Sequence, residues 1–133
     1  MSDTKIKVRF CETDALGHIN NTSYFIYLEE ARIDFFEKMG VKMDSSKWTY
    51  LIASTKCDFI AQGYFNQTLV VSTYVTRIGH KSFTIGHEIT DSKTNRLIAR
   101  GEAVLVHFDF DLQKSVPLPD DVCAFLQNYL QTV

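Results

Sequence analysis

Asp14 and His18 stand four residues apart in the stretch ETDALGHINN, and Asn20 and Asn21 follow at once. A run with helical apolar spacing begins directly after them. An aspartate is ordinarily ionised at neutral pH, so it can act as a base or nucleophile without a partner histidine. A helix that starts here presents unpaired backbone N–H groups and the positive end of its dipole. Those donors can be capped by Asn20, Asn21 or Thr22, or they can point at an oxygen of a ligand. An acid facing them supplies two parts of an acyl-transfer site, a carboxylate and an oxyanion hole. Gly17 would let the loop turn tightly and bring its backbone close to a ligand. The plainer alternative is that Asp14 closes a turn, His18 is an ordinary loop histidine and the asparagines are caps. Caps are common at helix starts, so spacing alone favours the plainer alternative.

Other chemistries lack local support. His18, His80, His87 and His107 are scattered and form no HxxxH or HxxEH pattern, so no metal site is expected. The chain contains no GxSxG elbow, P-loop or GxGxxG, and no bound cofactor is expected. Cys11, Cys57 and Cys123 are odd in number and far apart, which argues against a disulfide framework and for a reducing compartment. Cys11 has no adjacent base to activate it and reads as a small apolar strand residue.

The elements that must position the loop are legible on either side of it. KIKVRF alternates, with Ile6, Val8 and Phe10 on one face, and reads as a half-buried strand. From Thr22, residues Tyr24, Tyr27, Leu28, Ala31, Phe35 and Met39 recur at helical spacing, and Gly40 is a stop signal. Phe25, Ile26 and Phe36 widen the apolar surface, so the helix should be covered on most of its circumference. TYLIAST and KCDFIA can form one strand. QTLVVSTYVTRI, KSFTIGHEIT and RLIARGEAVLVHFDF are further strands, with Gly101 expected at a bulge or bend. Short connections at Gly79–His80 and Asp91–Asn95 make antiparallel hairpins. Pro117 and Pro119 precede a short helix from Asp120 to Tyr129. One helix against one antiparallel sheet is a two-layer α+β domain, whose open sheet edges invite dimerisation.

The 133 residues fit one domain, 1–133, with 45% apolar, 13% aromatic and 23% charged residues. A net charge of −2 with dispersed Lys and Arg gives no reason to expect nucleic-acid binding. MSDTKIKVRF has no secretory h-region, and no apolar run approaches the ~18 residues of a membrane span. A soluble, cytoplasmic protein is expected.

VRFCETDALGHINNTSYFIYLEEARIDFF resembles the N-terminal signature of hotdog-fold acyl-CoA thioesterases of the 4-hydroxybenzoyl-CoA thioesterase type. GEAVLVHFDFDLQKSVPLPDDV resembles the last strand and Pro-containing tail of that family. The resemblance runs through nearly the whole chain. It implies a five-stranded antiparallel sheet wrapped around a long central helix, with two protomers joining their sheets and the sites at that interface. A dimer at least follows, with a tetramer left open.

In that resemblance Asp14 attacks the thioester carbonyl or activates water, and the backbone N–H at Asn21 polarises the carbonyl. His18 matches the histidine of acyl-carrier-protein thioesterases that use an Asp, an Asn and a His. Leu16 occupies the Asn position here, which leaves Asp14 as the principal group and His18 in a positioning or water-orienting role. Arg77, Lys81 and Ser82 fall where relatives contact the CoA nucleotide, with Gly79 and His80 where one relative has two arginines. Tyr24, Tyr27 and Leu28, with Phe59 from the partner's strand, are candidates to line the acyl pocket beside Gly17. The implied reaction is hydrolysis of acyl-CoA to free acid and CoA. The alternatives are an acyl-carrier-protein thioester as substrate, or an acyl-binding module without turnover.

Overall fold

The computed structural model of the protein describes residues 1–41 and 49–131. Strand β1 (Ser2–Lys7) leads through a 3-10 turn (Phe10–Glu12) to helix α1 (Asn21–Lys38). Strands β2 (Tyr50–Phe59), β3 (Thr68–Ile78), β4 (Ser82–Asp91) and β5 (Leu97–Asp109) follow, then a two-residue β6 (Lys114–Ser115) and helix α2 (Asp120–Gln127). The strands form one antiparallel sheet in the order β1-β3-β4-β5-β2, with β6 added to β5 as a sixth strand. That short sixth strand is the difference from the five expected.

Helix α1 lies along one face of the sheet because its apolar stripe has nowhere else to go. Tyr24, Tyr27, Leu28, Ala31, Phe35 and Phe36 are all buried. They meet Leu69, Val71 and Val75 of β3, Phe83, Ile85 and Ile89 of β4, and Ala99, Ala103 and Leu105 of β5. Each fully buried large side chain of this kind contributes roughly 1.5–3 kcal/mol. Asn20 caps the helix start, its side chain accepting from Thr22 N at 3.3 Å. Gly40, at φ +89°, closes the other end. Phe25, Ile26 and Ile33 remain exposed in the single chain, so the expected cover around the helix is incomplete there.

Two local expectations change. The first strand ends at Lys7, because the chain then leaves the ladder and enters the 3-10 turn. Ile6 and Val8 are buried, but Phe10 is 76% exposed and packs edge-on against Phe65. Gly101 makes no bulge; the register runs unbroken through Cys57↔Gly101 and His87↔Gly101. Its lack of a side chain serves the helix instead, since a Cβ there would lie 2.6 Å from Leu28 Cδ1.

The two sheet edges differ. Beyond the end of β1, the C-terminal segment takes over the β3 edge: Val75 N donates to Tyr129 O and Gln131 N to Val75 O, each at 2.8 Å. Among the described residues strand β2 pairs only with β5, and most of its ten residues are exposed.

His87 is buried in the helix–sheet layer together with Thr73 and Arg32. His87 is fully buried, its Nδ1 lies 3.0 Å from Thr73 Oγ1, and its Nε2 has no partner among the described residues. Burial, with Arg32 nearby, pushes its pKa down to about 3. The unfolded chain therefore takes up a proton between its ordinary value of ~6.5 and about 3 while the folded chain does not. This contribution to stability is fully present above that window and is lost as pH falls through it. In His87→Gln, the slope of unfolding free energy against pH across that window should fall by up to one proton, read by denaturant titration at several pH values. An unchanged slope would refute this origin.

Candidate active site

The loop that carries Asp14 is held at both of its ends. Thr13 and Ile19 bridge as antiparallel partners, and Asp14 N donates to His18 O at 2.8 Å. The Asp14 carboxylate turns back on the loop, with Oδ1 accepting from Leu16 N at 2.8 Å and His18 N at 3.1 Å. Its Oδ2 has no hydrogen-bond partner among the described residues. Gly17 sits at φ +79°, the left-handed region that favours glycine, and its carbonyl accepts from Phe65 N. The expected tight turn is therefore present. His18 is half-buried with its ring 5.2 Å from that of Tyr64, and it makes no side-chain hydrogen bond among the described residues.

Asn21 is the first residue of α1 and is exposed. Thr22 N turns to Asn20 Oδ1 and Ser23 N to Asn20 O, while the Asn21 N–H has no partner among the described residues. One end of the loop thus carries a carboxylate with a free oxygen, and the other a free amide at the positive end of an 18-residue helix. The capping reading holds at Asn20, and the Asn21 N–H is left without a partner among the described residues.

A cleft of about 340 Å³ opens beside the helix start, lined by Ile19, Asn21, Tyr24, Phe59, Gln62 and Arg96 among others. Tyr24 and Phe59 form one wall, their ring centroids 5.2 Å apart. Phe59 makes this contact within the same chain, where the resemblance put it on the partner's strand. Burial pushes the Tyr24 hydroxyl above its usual pKa, so it stays protonated. Tyr27 faces away from the cleft into the core, where its hydroxyl donates to Glu12 Oε1 at 3.0 Å.

Arg77, Lys81 and Ser82 gather at the β3–β4 hairpin, which Gly79 N closes by donating to Ser82 O at 2.7 Å. Thr68, at the other end of β3, pairs with Lys7 near the loop. The span of β3 between them is roughly 30 Å at ~3.3 Å per residue. One chain does not bring these three residues to Asp14.

Glu12 carries no role in the sequence reading, yet it is the best-connected group near the loop. Its side chain is 5% exposed. Burial pushes the carboxyl up, but hydrogen bonds from the Arg9 side chain, the Arg9 amide and Tyr27 outweigh this and hold it below the usual carboxylate range. The only local signal was an arginine three residues earlier. Gln62, in the β2–β3 connection, and Arg96, in the β4–β5 hairpin, were also missed, since nothing in connections so distant in sequence points to a helix start.

A helix held against one curved antiparallel sheet, with an acid loop at the helix start, is the hotdog architecture of thioesterases. A family model described as the thioesterase-like superfamily matches residues 8–126, and the chain belongs to that family. It is 31% identical over 117 residues to the uncharacterized protein YsmA of Bacillus subtilis (strain 168), covering 88% of this chain and 79% of that protein. It is 25% identical to the long-chain acyl-CoA thioesterase FadM of Escherichia coli (strain K12), covering 96% of this chain and 98% of that one. The solved structure of a predicted thioesterase from Bacillus stearothermophilus superposes with a TM-score of 0.91 at 33% identity, over 98% of this chain and 97% of that one. The protein is thus an enzyme whose class of chemistry is thioester hydrolysis.

The turn at Gly17 yields a direct test. A Cβ there would touch nothing within 4 Å, so the penalty for a side chain is backbone strain alone. Gly17→Ala should cost about 1–2 kcal/mol, and Gly17→Asn, which tolerates a left-handed φ better, should cost less. Equal losses for the two in thermal unfolding would contradict the turn as described.

Proposed function

We propose that the protein hydrolyses acyl-CoA thioesters to a free carboxylic acid and CoA, with Asp14 and the first amide of α1 as its working groups. The observation that carries this reading is the pairing of an open carboxylate oxygen, Asp14 Oδ2, with the unpartnered Asn21 N–H at the far end of the same loop. The relative named as a long-chain acyl-CoA thioesterase supports acyl-CoA as the substrate class.

Asp14 Oδ2 adds to the thioester carbonyl carbon, or takes a proton from a water whose oxygen adds there. Either way charge develops on the carbonyl oxygen, where the Asn21 N–H and the helix dipole stabilise it. The C–S bond then breaks, and CoA leaves as a thiolate that takes up a proton. Where Asp14 has added, water cleaves the resulting anhydride and restores the carboxylate. His18 orients water, and Tyr24 and Phe59 hold the acyl group in the cleft beside the α1 start, with Gly17 shaping the loop that approaches it.

The CoA nucleotide is bound with help from a second copy of the chain. Strand β2 is an open edge whose Phe59 end lies at the α1 start and whose Tyr50 end pairs with His107, next to Lys81. Antiparallel pairing of two β2 edges sets the Tyr50 end of one copy beside the Phe59 end of the other. Arg77, Lys81 and Ser82 of the partner are thereby carried toward this chain's Asp14 end. The three free cysteines fit a reducing compartment, and we place the enzyme in the cytoplasm as a dimer of single-domain chains.

Purified protein should release free thiol from acyl-CoA, measured over a panel of straight-chain and aromatic acyl groups. Asp14→Asn should lower kcat by about 100-fold or more while thermal unfolding stays close to that of the parent. Full activity in that variant would rule out the assigned mechanism.

A further inference from the structure

We propose that Glu12 is the positioning residue of this site, the group that sets the Asp14 loop in register with the start of α1. The inference rests on the reading of Asp14 and Asn21 given above. Glu12 ties together three pieces of chain that adjoin the loop. Its Oε1 accepts from Arg9 N at 2.8 Å and from the Tyr27 hydroxyl at 3.0 Å, and its Oε2 from Arg9 Nε at 2.9 Å and Nη2 at 2.6 Å. Its carbonyl accepts from Asn20 N at 2.9 Å and from Ser23 Oγ at 3.0 Å. The chain after β1, the helix cap and the first two turns of α1 are therefore anchored on one residue. Asp14 follows it by two positions, and the cap it grips precedes the free Asn21 amide by one.

Stability alone gives little reason for this arrangement. A buried carboxylate must be repaid by several hydrogen bonds merely to break even, and an apolar residue at the same place is often as good or better. What the charge adds is directional: an arginine donating twice to Oε2, and an amide and a phenol donating to Oε1, fix the orientation of the carboxylate. A reaction that needs the attacking oxygen and the oxyanion donor held to a fraction of an ångström benefits from such constraint, since a 1 Å error can cost about 100-fold. Tyr27 belongs to this apparatus. It serves the site through Glu12 and does not touch the acyl group.

The test compares Glu12→Gln, Tyr27→Phe and Asp14→Asn with the parent enzyme on one acyl-CoA, reading kcat and KM on folded protein of known concentration. Glu12→Gln should lower kcat by about tenfold or more while KM stays within about threefold. Glu12→Asp, which keeps the charge, should recover part of the loss. Tyr27→Phe, which removes one hydroxyl and leaves the ring in the core, should lower kcat in the same direction. It keeps the test decisive should Glu12→Gln fold poorly. Its effect should not add fully to that of Glu12→Gln. A lower melting temperature with kcat unchanged in Glu12→Gln and Tyr27→Phe would make the network purely structural and overturn the proposal. Full activity in Asp14→Asn would instead remove the reading beneath it, so the two failures are distinguishable.

Discussion

A charged carboxylate taken out of water has to be satisfied or it unfolds the place where it sits, and the structure around the site depends on how Glu12 is satisfied. Its four acceptor contacts come from Arg9 and Tyr27, and its carbonyl receives Asn20 and Ser23. The chain cannot meet those demands unless β1 has ended, the 3-10 turn has formed and α1 has started at Asn21. The loop between has two fixed ends and is short enough that its interior is largely determined. Gly17 at positive φ and the Asp14 contacts to two loop amides are the means by which it closes.

The rest of the fold supplies a platform for that loop. Small residues on β5, Ala99, Gly101 and Ala103, let α1 approach the sheet closely, and Leu28 occupies the space a side chain at Gly101 would need. The helix is thereby fixed against β3, β4 and β5 by apolar packing. Its start projects toward one end of the sheet, where Phe59 of β2 meets Tyr24. Among the described residues, the outer edge of β3 is covered by β1 and the C-terminal segment, so β1 and β2 are the two terminal strands of the sheet.

Much of this was legible in the sequence because it rests on periodicity. Alternation in β3 to β5 and the three- and four-residue recurrence in α1 report burial directly, and Gly40 marks the stop. Phe10 misled because it continues an alternation after the strand has ended; a 3-10 turn leaves no periodic trace in three residues. Gly101 was read as a local backbone feature, while its role is set by a helix more than seventy residues earlier. The tight turn at Gly17 and a helix start close behind Asp14 were legible because acid, turn residue and helix start are contiguous. Glu12 and the inward turn of Tyr27 were not, since fifteen residues and a change of direction separate the two. The distance between the β3–β4 hairpin and the loop was equally hidden, being a property of how far one strand reaches.

In the proposed mechanism the thioester lies between Asp14 Oδ2 and the Asn21 amide. A crystal structure with a non-hydrolysable acyl-CoA analogue tests it most directly. The carbonyl oxygen should lie within about 3 Å of Asn21 N, with Asp14 Oδ2 facing the carbonyl carbon directly or through one water. An analogue bound with its carbonyl away from both groups would contradict it.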